Sequence, residues 1–244
     1  VPSYDIIAVT FTNKAASEME NRVTNLVQRN LEGIWLGTFH AMCARLLRRE
    51  AAALPFNSNF VIFDSDDQQT LVKRAMRDLK IDEKIHRPVS VHAAISALKN
   101  DLLSPAEAPT RSYREEVVAR VYARYEDMLR LNNAVDFDDL LFWGAKLLRE
   151  NPALREKYAM RFRHVLVDEF QDTNLAQYEL LKHLSSYHKN IFVVGDEDQS
   201  IYRWRGADYR NVLRFEKDFP DCEKILLEQN YRSTQVILDA ARCV

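Results

Sequence analysis

Two hydrophobic periods alternate along this 244-residue chain. Ile6-Ile7-Ala8-Val9-Thr10-Phe11 is a nearly continuous apolar run of strand length. From Asn13 the spacing changes. Ala16, Met19, Val23, Leu26 and Val27 share one helical face, with Thr12 or Asn13 as the cap. A second short strand is expected at Ile34-Trp35-Leu36-Gly37-Thr38-Phe39, followed by a helix through Leu46 and Leu47.

The middle of the chain has another texture. Asp64-Ser65-Asp66-Asp67 opens a helix to about Lys80. Further helices are expected near 90–100, 111–133 and 136–150. In the third of these four, Tyr113, Val117, Val121, Tyr125 and Met128 form an amphipathic stripe. No strand pattern stands out between Asp64 and residue 160. Acidic and basic residues balance between Asp64 and Arg130, so this stretch has no charge bias. It reads as an all-helical insert.

Strand–helix alternation resumes at His164. Val165-Leu166-Val167 ends in Asp168-Glu169, Ile191-Phe192-Val193-Val194 ends in Gly195-Asp196, and Ile225-Leu226-Leu227 ends in Glu228-Gln229-Asn230. Apolar runs without alternation imply strands buried on both faces, hence a parallel sheet covered by helices. Ligands in such sheets bind at the carboxyl ends of strands. The polar residues ending these runs stand there.

Composition narrows the picture. Hydrophobic residues make up 47% and charged residues 29%, which supports a core of normal size. The net charge of -2 excludes a uniformly basic surface but not a local basic groove. Only 5 glycines occur, and no two fit G-x-G-x-x-G or G-x-x-x-x-G-K-[ST], so no glycine-rich phosphate cradle is recognisable. Cys43, Cys222 and Cys243 are odd in number and far apart, which supports neither a zinc ribbon nor a disulfide framework. No apolar run approaches a membrane span and no signal peptide stands out, so a cytoplasmic location without a membrane partner is expected. The chain lacks an initiator Met and begins almost in a strand, which reads as a cut from something longer.

Several strand ends could carry chemistry. After Val165-Leu166-Val167, one carboxylate can hold Mg²⁺ and the next can orient or deprotonate an attacking water. The bland alternative is that Asp168 and Glu169 merely cap a helix. In Gly195 to Gly206, Gln199 could sense a terminal phosphate, while Tyr202, Trp204 and Arg205 interleave aromatics with cations, which suits stacking on bases. The alternative is a tight turn with a core Trp. Arg232 could reach a γ-phosphate and Tyr231 offers a flat face; alone, this is a loop with a surface Arg. Thr10 to Lys14 and Gly37 to His40 end two strands where helix N-termini bind phosphates, or where capping is all that occurs. Asp136-Phe137-Asp138-Asp139 reads as a helix cap over Leu140, Leu141 and Trp143 rather than a metal site. His183 and His188 read as surface residues.

Taken together and in this order, these segments resemble the superfamily 1 DNA helicases of the UvrD/PcrA/Rep type. Ala8 to Ala16 is similar to motif Ia, Gly37 to His40 to motif Ib, and Asp168-Glu169-Phe170-Gln171-Asp172-Thr173 to motif II. Gly195 to Ala207 resembles motif III, and Gln229 to Thr234 motif IV. The resemblance implies an α/β, RecA-like parallel sheet with helices on both faces and an inserted helical subdomain. It implies a first RecA-like domain at 1–50 and 161–230, an insert at 51–160, and the start of a second RecA-like domain at 231–244. It implies ATP and Mg²⁺ as cofactors. Asp168 and Glu169 would hold the metal and Glu169 would activate water. Gln199, Tyr231 and Arg232 would bind the nucleotide, with Gln199 and Arg232 also catalytic. Phe11, Asn13, His40, Tyr202, Trp204 and Arg205 would line a path for single-stranded DNA, the partner together with single-strand/duplex junctions. Family members move 3′ to 5′ and separate duplexes in repair or replication. The family's Walker A loop, expected just upstream of motif Ia, and its motifs V and VI do not occur in these residues. A helicase–nuclease subunit, a non-catalytic RecA-like scaffold and an RNA-directed relative are the rival readings.

Overall fold

The computed structural model describes residues 1–28, 31–200, 207–208 and 210–243. In chain order the strands are β1 (Ile6–Thr10), β2 (Trp35–Thr38), β3 (Val61–Ile62), β4 (Ala134–Val135), β5 (His164–Val167) and β6 (Ile191–Val193). The helices are α1 (Asn13–Val27), α2 (Phe39–Arg49), α3 (Ser65–Asp78), α4 (Pro88–Asn100), α5 (Tyr113–Leu131), α6 (Phe137–Glu150), α7 (Pro152–Arg161), α8 (Leu175–Leu184), α9 (Arg210–Asp218) and α10 (Gln235–Arg242).

The main sheet runs β2-β1-β5-β6 and every pairing is parallel. The register sets Thr10 beside Thr38, Val9 beside Val167 and Val167 beside Val193, so all four strands end along one edge. On one face Ile7, Val9, Trp35, Val165 and Val167 are buried in a core shared with α2, α6 and α8. Each such side chain contributes ~1.5–3 kcal/mol by leaving water. The other face is covered by α1 over β1 and β2, where Ala8 is buried. Farther along it stays open: in the same row, Leu166 is 38% and Phe192 56% exposed. This is an α/β fold with a parallel sheet flanked by helices.

Local chemistry explains the helix starts. Thr12 and Thr38 cap α1 and α2 by accepting from Ala15 and Ala41 amides. Asp64, Ser112, Asp136 and Asn174 form reciprocal capping boxes at α3, α5, α6 and α8. A cap of this kind is worth about 1 kcal/mol.

Several expectations need correction. The stripe on α1 is only partly used: Ala16, Met19 and Val23 are half-buried, whereas Leu26 is 82% and Val27 47% exposed at the end of the helix. Tyr113 is exposed at the first position of α5, whereas Val117, Val121, Tyr125 and Met128 are buried. The middle stretch contains a two-residue parallel pair, Val61–Ile62 with Ala134–Val135, too short to show a period. Ile225-Leu226-Leu227 is no strand; it joins no ladder among the described residues and its side chains are exposed. The sheet ends at β6, and this segment faces β6 across a cleft instead of bonding to it. His183 and His188 are half-buried rather than on the surface, and burial, with Arg155 and Lys182 nearby, lowers His183 to about 4.

Two cores divide the helices. Leu71, Val72, Ala75, Met76, Val91, Ile95, Val117, Val121 and Tyr125 of α3, α4 and α5 form the second. Helices α6 and α7, inside the expected 51–160 insert, pack instead with the main core through Leu140, Leu148, Tyr158 and neighbours. Asp136 caps α6 as expected, Leu140 and Leu141 are buried and Trp143 is partly so. Asp136 and Asp139 also grip a buried lysine, Lys99, that the sequence pattern did not single out.

Candidate nucleotide site and nucleic-acid face

The acid pair stands where β5 leaves the sheet. The Asp168 amide donates to the Val9 carbonyl at 3.0 Å, which extends the ladder by one residue. Glu169 then takes a left-handed conformation at φ 51°. For a non-glycine residue this costs on the order of 1–3 kcal/mol and persists only where surrounding bonds impose it. Those bonds are present: Phe170 N donates to Val194 O at 2.8 Å, and Asp172 N to Glu169 O at 2.9 Å. The kink turns Phe170 into the core and leaves the Glu169 side chain exposed.

Asp168 is half-buried. Burial, and then the neighbouring Glu169 charge, raise its carboxyl above the ordinary aspartate range. The same two causes raise Asp172. Among the described residues no cation pairs with Asp168 or Glu169, so negative charge accumulates here. A divalent cation would relieve it. Mg²⁺ takes one or two carboxylates and completes its shell with water and phosphate, so this pair fits it without a larger cluster. No group of three or more metal-binding side chains occurs among the described residues.

The loop after β6 closes on the acid pair. Gly195 lies so near that a Cβ there would sit 2.7 Å from Gln171 Oε1 and 3.3 Å from Gln171 N, so any other residue would have to displace the Gln171 carboxamide. Gln199 Nε2 donates to Asp196 Oδ2 at 2.6 Å. Beyond the apolar 225–227 segment, Asn230 Oδ1 accepts from the Arg232 and Ser233 amides at 2.9 and 2.8 Å, which folds the turn carrying Tyr231 and Arg232. Asp168, Glu169, Gln199, Tyr231 and Arg232 all line one cleft of about 1620 Å³. Tyr231 is 93% exposed there, a free aromatic face.

Phe11, Asn13 and His40 occupy the other half of the strand-end edge, beyond β1 and β2. Phe11 meets Phe39 edge-on at 5.5 Å and is partly buried. Asn13 is exposed as the first residue of α1. His40 is half-buried against Phe137, ring centroids 6.0 Å apart, and burial lowers its pKa, so its imidazole is neutral at pH 7. The structure thus sets the acid pair and these three residues apart along one edge. Tyr202, Trp204 and Arg205 lie outside the described residues. One site residue escaped the sequence reading: Gln171, whose carboxamide touches both Glu169 and the Asp196 amide. Its position two residues after the acid pair was the available signal.

The sequence matches the UvrD/REP helicase N-terminal domain over residues 1–220. It is 49% identical over 243 residues to the ATP-dependent DNA helicase PcrA of Staphylococcus aureus (strain Mu50 / ATCC 700699), covering 99% of this chain and 33% of that protein. Identity to the protein of the same name from Staphylococcus epidermidis (strain ATCC 12228 / FDA PCI 1200) is 47%, with the same coverage. The chain therefore spans about a third of the length of these relatives. On this match, joined to the parallel sheet and its strand-end acid pair, the chain belongs to the UvrD/REP helicase family.

Proposed function

We propose that this chain is a fragment of an ATP-dependent 3′–5′ DNA helicase acting in repair or replication, carrying part of its nucleotide-hydrolysing lobe but not the glycine-rich phosphate cradle. The observation that carries the reading is the shared cleft at the strand ends, where Asp168 and Glu169 face Gln199, Tyr231 and Arg232. Asp168, assisted by Glu169, would hold Mg²⁺ directly or through water, and the bound ion would supply positive charge against the phosphates. Glu169 orients the attacking water and accepts its proton. Gln199 hydrogen-bonds the γ-phosphate, Arg232 contacts its charge, and Tyr231 stacks on adenine.

Phe11, Asn13 and His40, with Tyr202, Trp204 and Arg205, form the single-strand path, and single-strand/duplex junctions are the substrate. A neutral His40 suits stacking and hydrogen bonding rather than phosphate neutralisation. Residues 1–50 and 161–230 form the first RecA-like domain, 51–160 carry its insert together with α6 and α7, which pack on the main core, and 231–244 form the start of the next domain. A cytoplasmic location agrees with three unpaired cysteines and with the lack, among the described residues, of any helix long and apolar enough to cross a membrane.

The test is strand separation by the full-length protein bearing this chain, on duplexes with a 3′ or a 5′ single-stranded tail. ATP-dependent unwinding of the 3′-tailed substrate is expected. DNA binding without nucleotide turnover would favour the scaffold reading, and preference for a 5′ tail would reverse the assigned direction.

A further inference from the structure

We infer that Gln171 is a positioning residue whose carboxamide clamps the Glu169 carboxylate to the Gly195–Gln199 segment. The inference rests on the reading of Glu169 as the water-activating carboxylate. Gln171 is 3% exposed and lies in the short turn Phe170–Asp172. Its Nε2 donates to Glu169 Oε2 at 2.8 Å. Its Oε1 accepts from the Asp196 amide at 3.1 Å. A backbone N–H can only donate, so the amide cannot flip: its oxygen must face Asp196 and its nitrogen must face Glu169.

The clamp continues beyond Asp196. Its Oδ2 accepts from Gln199 Nε2 at 2.6 Å, and Ser200 Oγ donates to the Gln171 carbonyl at 3.4 Å. A chain of bonds therefore joins Glu169, Gln171, Asp196 and Gln199. It links the group that activates water to the group assigned to the γ-phosphate. Gly195 makes the approach possible, since any Cβ there would meet Gln171 Oε1 at 2.7 Å.

The same stretch is tied on its far side. Asp208 N donates to Thr173 O at 3.0 Å, and the fully buried Asn211 donates through Nδ2 to Thr173 O at 2.8 Å. Residues on both flanks of 201–206 are thus bonded to the 170–174 segment. An exposed glutamate otherwise samples several rotamers. A charge-assisted bond from a buried amide holds one of them. Gln171 need not touch nucleotide to set the geometry of both groups that do.

The full-length protein bearing this chain supplies the test. Gln171→Leu keeps the bulk and removes both bonds. Gln171→Glu keeps an acceptor for the Asp196 amide but replaces the amide donor with a second carboxyl against Glu169, which turns the bond into a contact of like charges or a shared proton. Loss of a partner of this kind typically costs about 10- to 100-fold in activity. Both variants should show that fall in kcat, with KM for ATP within about 3-fold and a melting temperature near that of the wild type. Hydrogen exchange of the peptide holding Asp196 should speed up in Gln171→Leu and stay at the wild-type rate in Gln171→Glu. If Gln171→Leu is not recovered folded, kcat and exchange in Gln171→Glu decide. Wild-type kcat in either variant, a loss confined to KM, or exchange that is identical in Gln171→Leu and wild type would overturn the inference. Normal turnover after Glu169→Gln would instead remove the reading beneath it.

Discussion

Lys99 is fully buried at the junction of α4, α5 and the start of α6, and three carboxylates surround it. Its Nζ lies 2.7 Å from Glu126, 2.7 Å from Asp136 and 2.6 Å from Asp139. Tyr125 also donates to Asp136 at 2.8 Å. Burial alone would lower the Lys99 pKa, but the three acids outweigh it and hold the ammonium charged. Burial also pushes Asp136 up, yet Lys99 and its other donors bring it below the usual aspartate range. Burial and the charges of Asp136 and Glu126 drive Asp139 well above that range. Changing Lys99 to Met keeps the aliphatic stem and removes the only cation in this cluster of described residues. Removing one partner of a buried pair costs about 3–5 kcal/mol, because the remaining charge is left uncompensated. For a chain of this size each kcal/mol is worth about 2–4 °C, so a fall of roughly 6–20 °C is expected at pH 7.5. The loss should shrink at pH 5. Without Lys99 the buried Asp136 and Asp139 carboxyls lose the cation that holds their pKa values down, and raised folded values favour folding at low pH and lose that contribution as pH rises through them. In the wild type the lowered Asp136 works the other way, and its contribution is lost as pH falls through its folded value. Calorimetric melting of both proteins at the two pH values checks this. A variant as stable as wild type at pH 7.5, or an equal loss at both pH values, would refute the argument.

Other outcomes follow from the strand-end edge. Trp204→Ala in the full-length protein should weaken single-stranded DNA binding by ~1–3 kcal/mol, since a stacked base is worth that much; titration with a labelled oligonucleotide would show unchanged affinity if the indole packs inward instead. The purified 244-residue chain should turn over ATP far more slowly than the full-length protein with DNA present, because no glycine-rich cradle for the β- and γ-phosphates occurs in its sequence. Comparable rates in a coupled phosphate-release assay would contradict that.

Much of the fold was legible because its signals are local. The apolar runs at Ile6–Thr10, Val165–Val167 and Ile191–Val193 became neighbouring parallel strands, and Asp64 and Asp136 became helix caps. The acid pair was legible because strand ends of a parallel sheet share one edge. What failed depended on partners distant in sequence. Ile225–Leu227 has strand composition but does not pair with the β6 edge it faces, and Val61–Ile62 pairs with Ala134–Val135 more than 70 residues away. Lys99 looked like any helical lysine until Glu126 of α5, Asp139 of α6 and Asp136, the cap before α6, closed around it. Gln171 carries no role of its own in the sequence pattern, because only the β6 loop reveals what its two ends touch.

The most direct test of the account is steady-state hydrolysis by the full-length protein with Glu169→Gln, measured beside nucleotide affinity. Glutamine preserves shape and removes the proton acceptor, so ATP should bind as in the wild type while DNA-stimulated turnover falls about 10²- to 10⁴-fold. Turnover at the wild-type rate with this substitution would contradict the assignment of the strand-end carboxylate as the group that activates water.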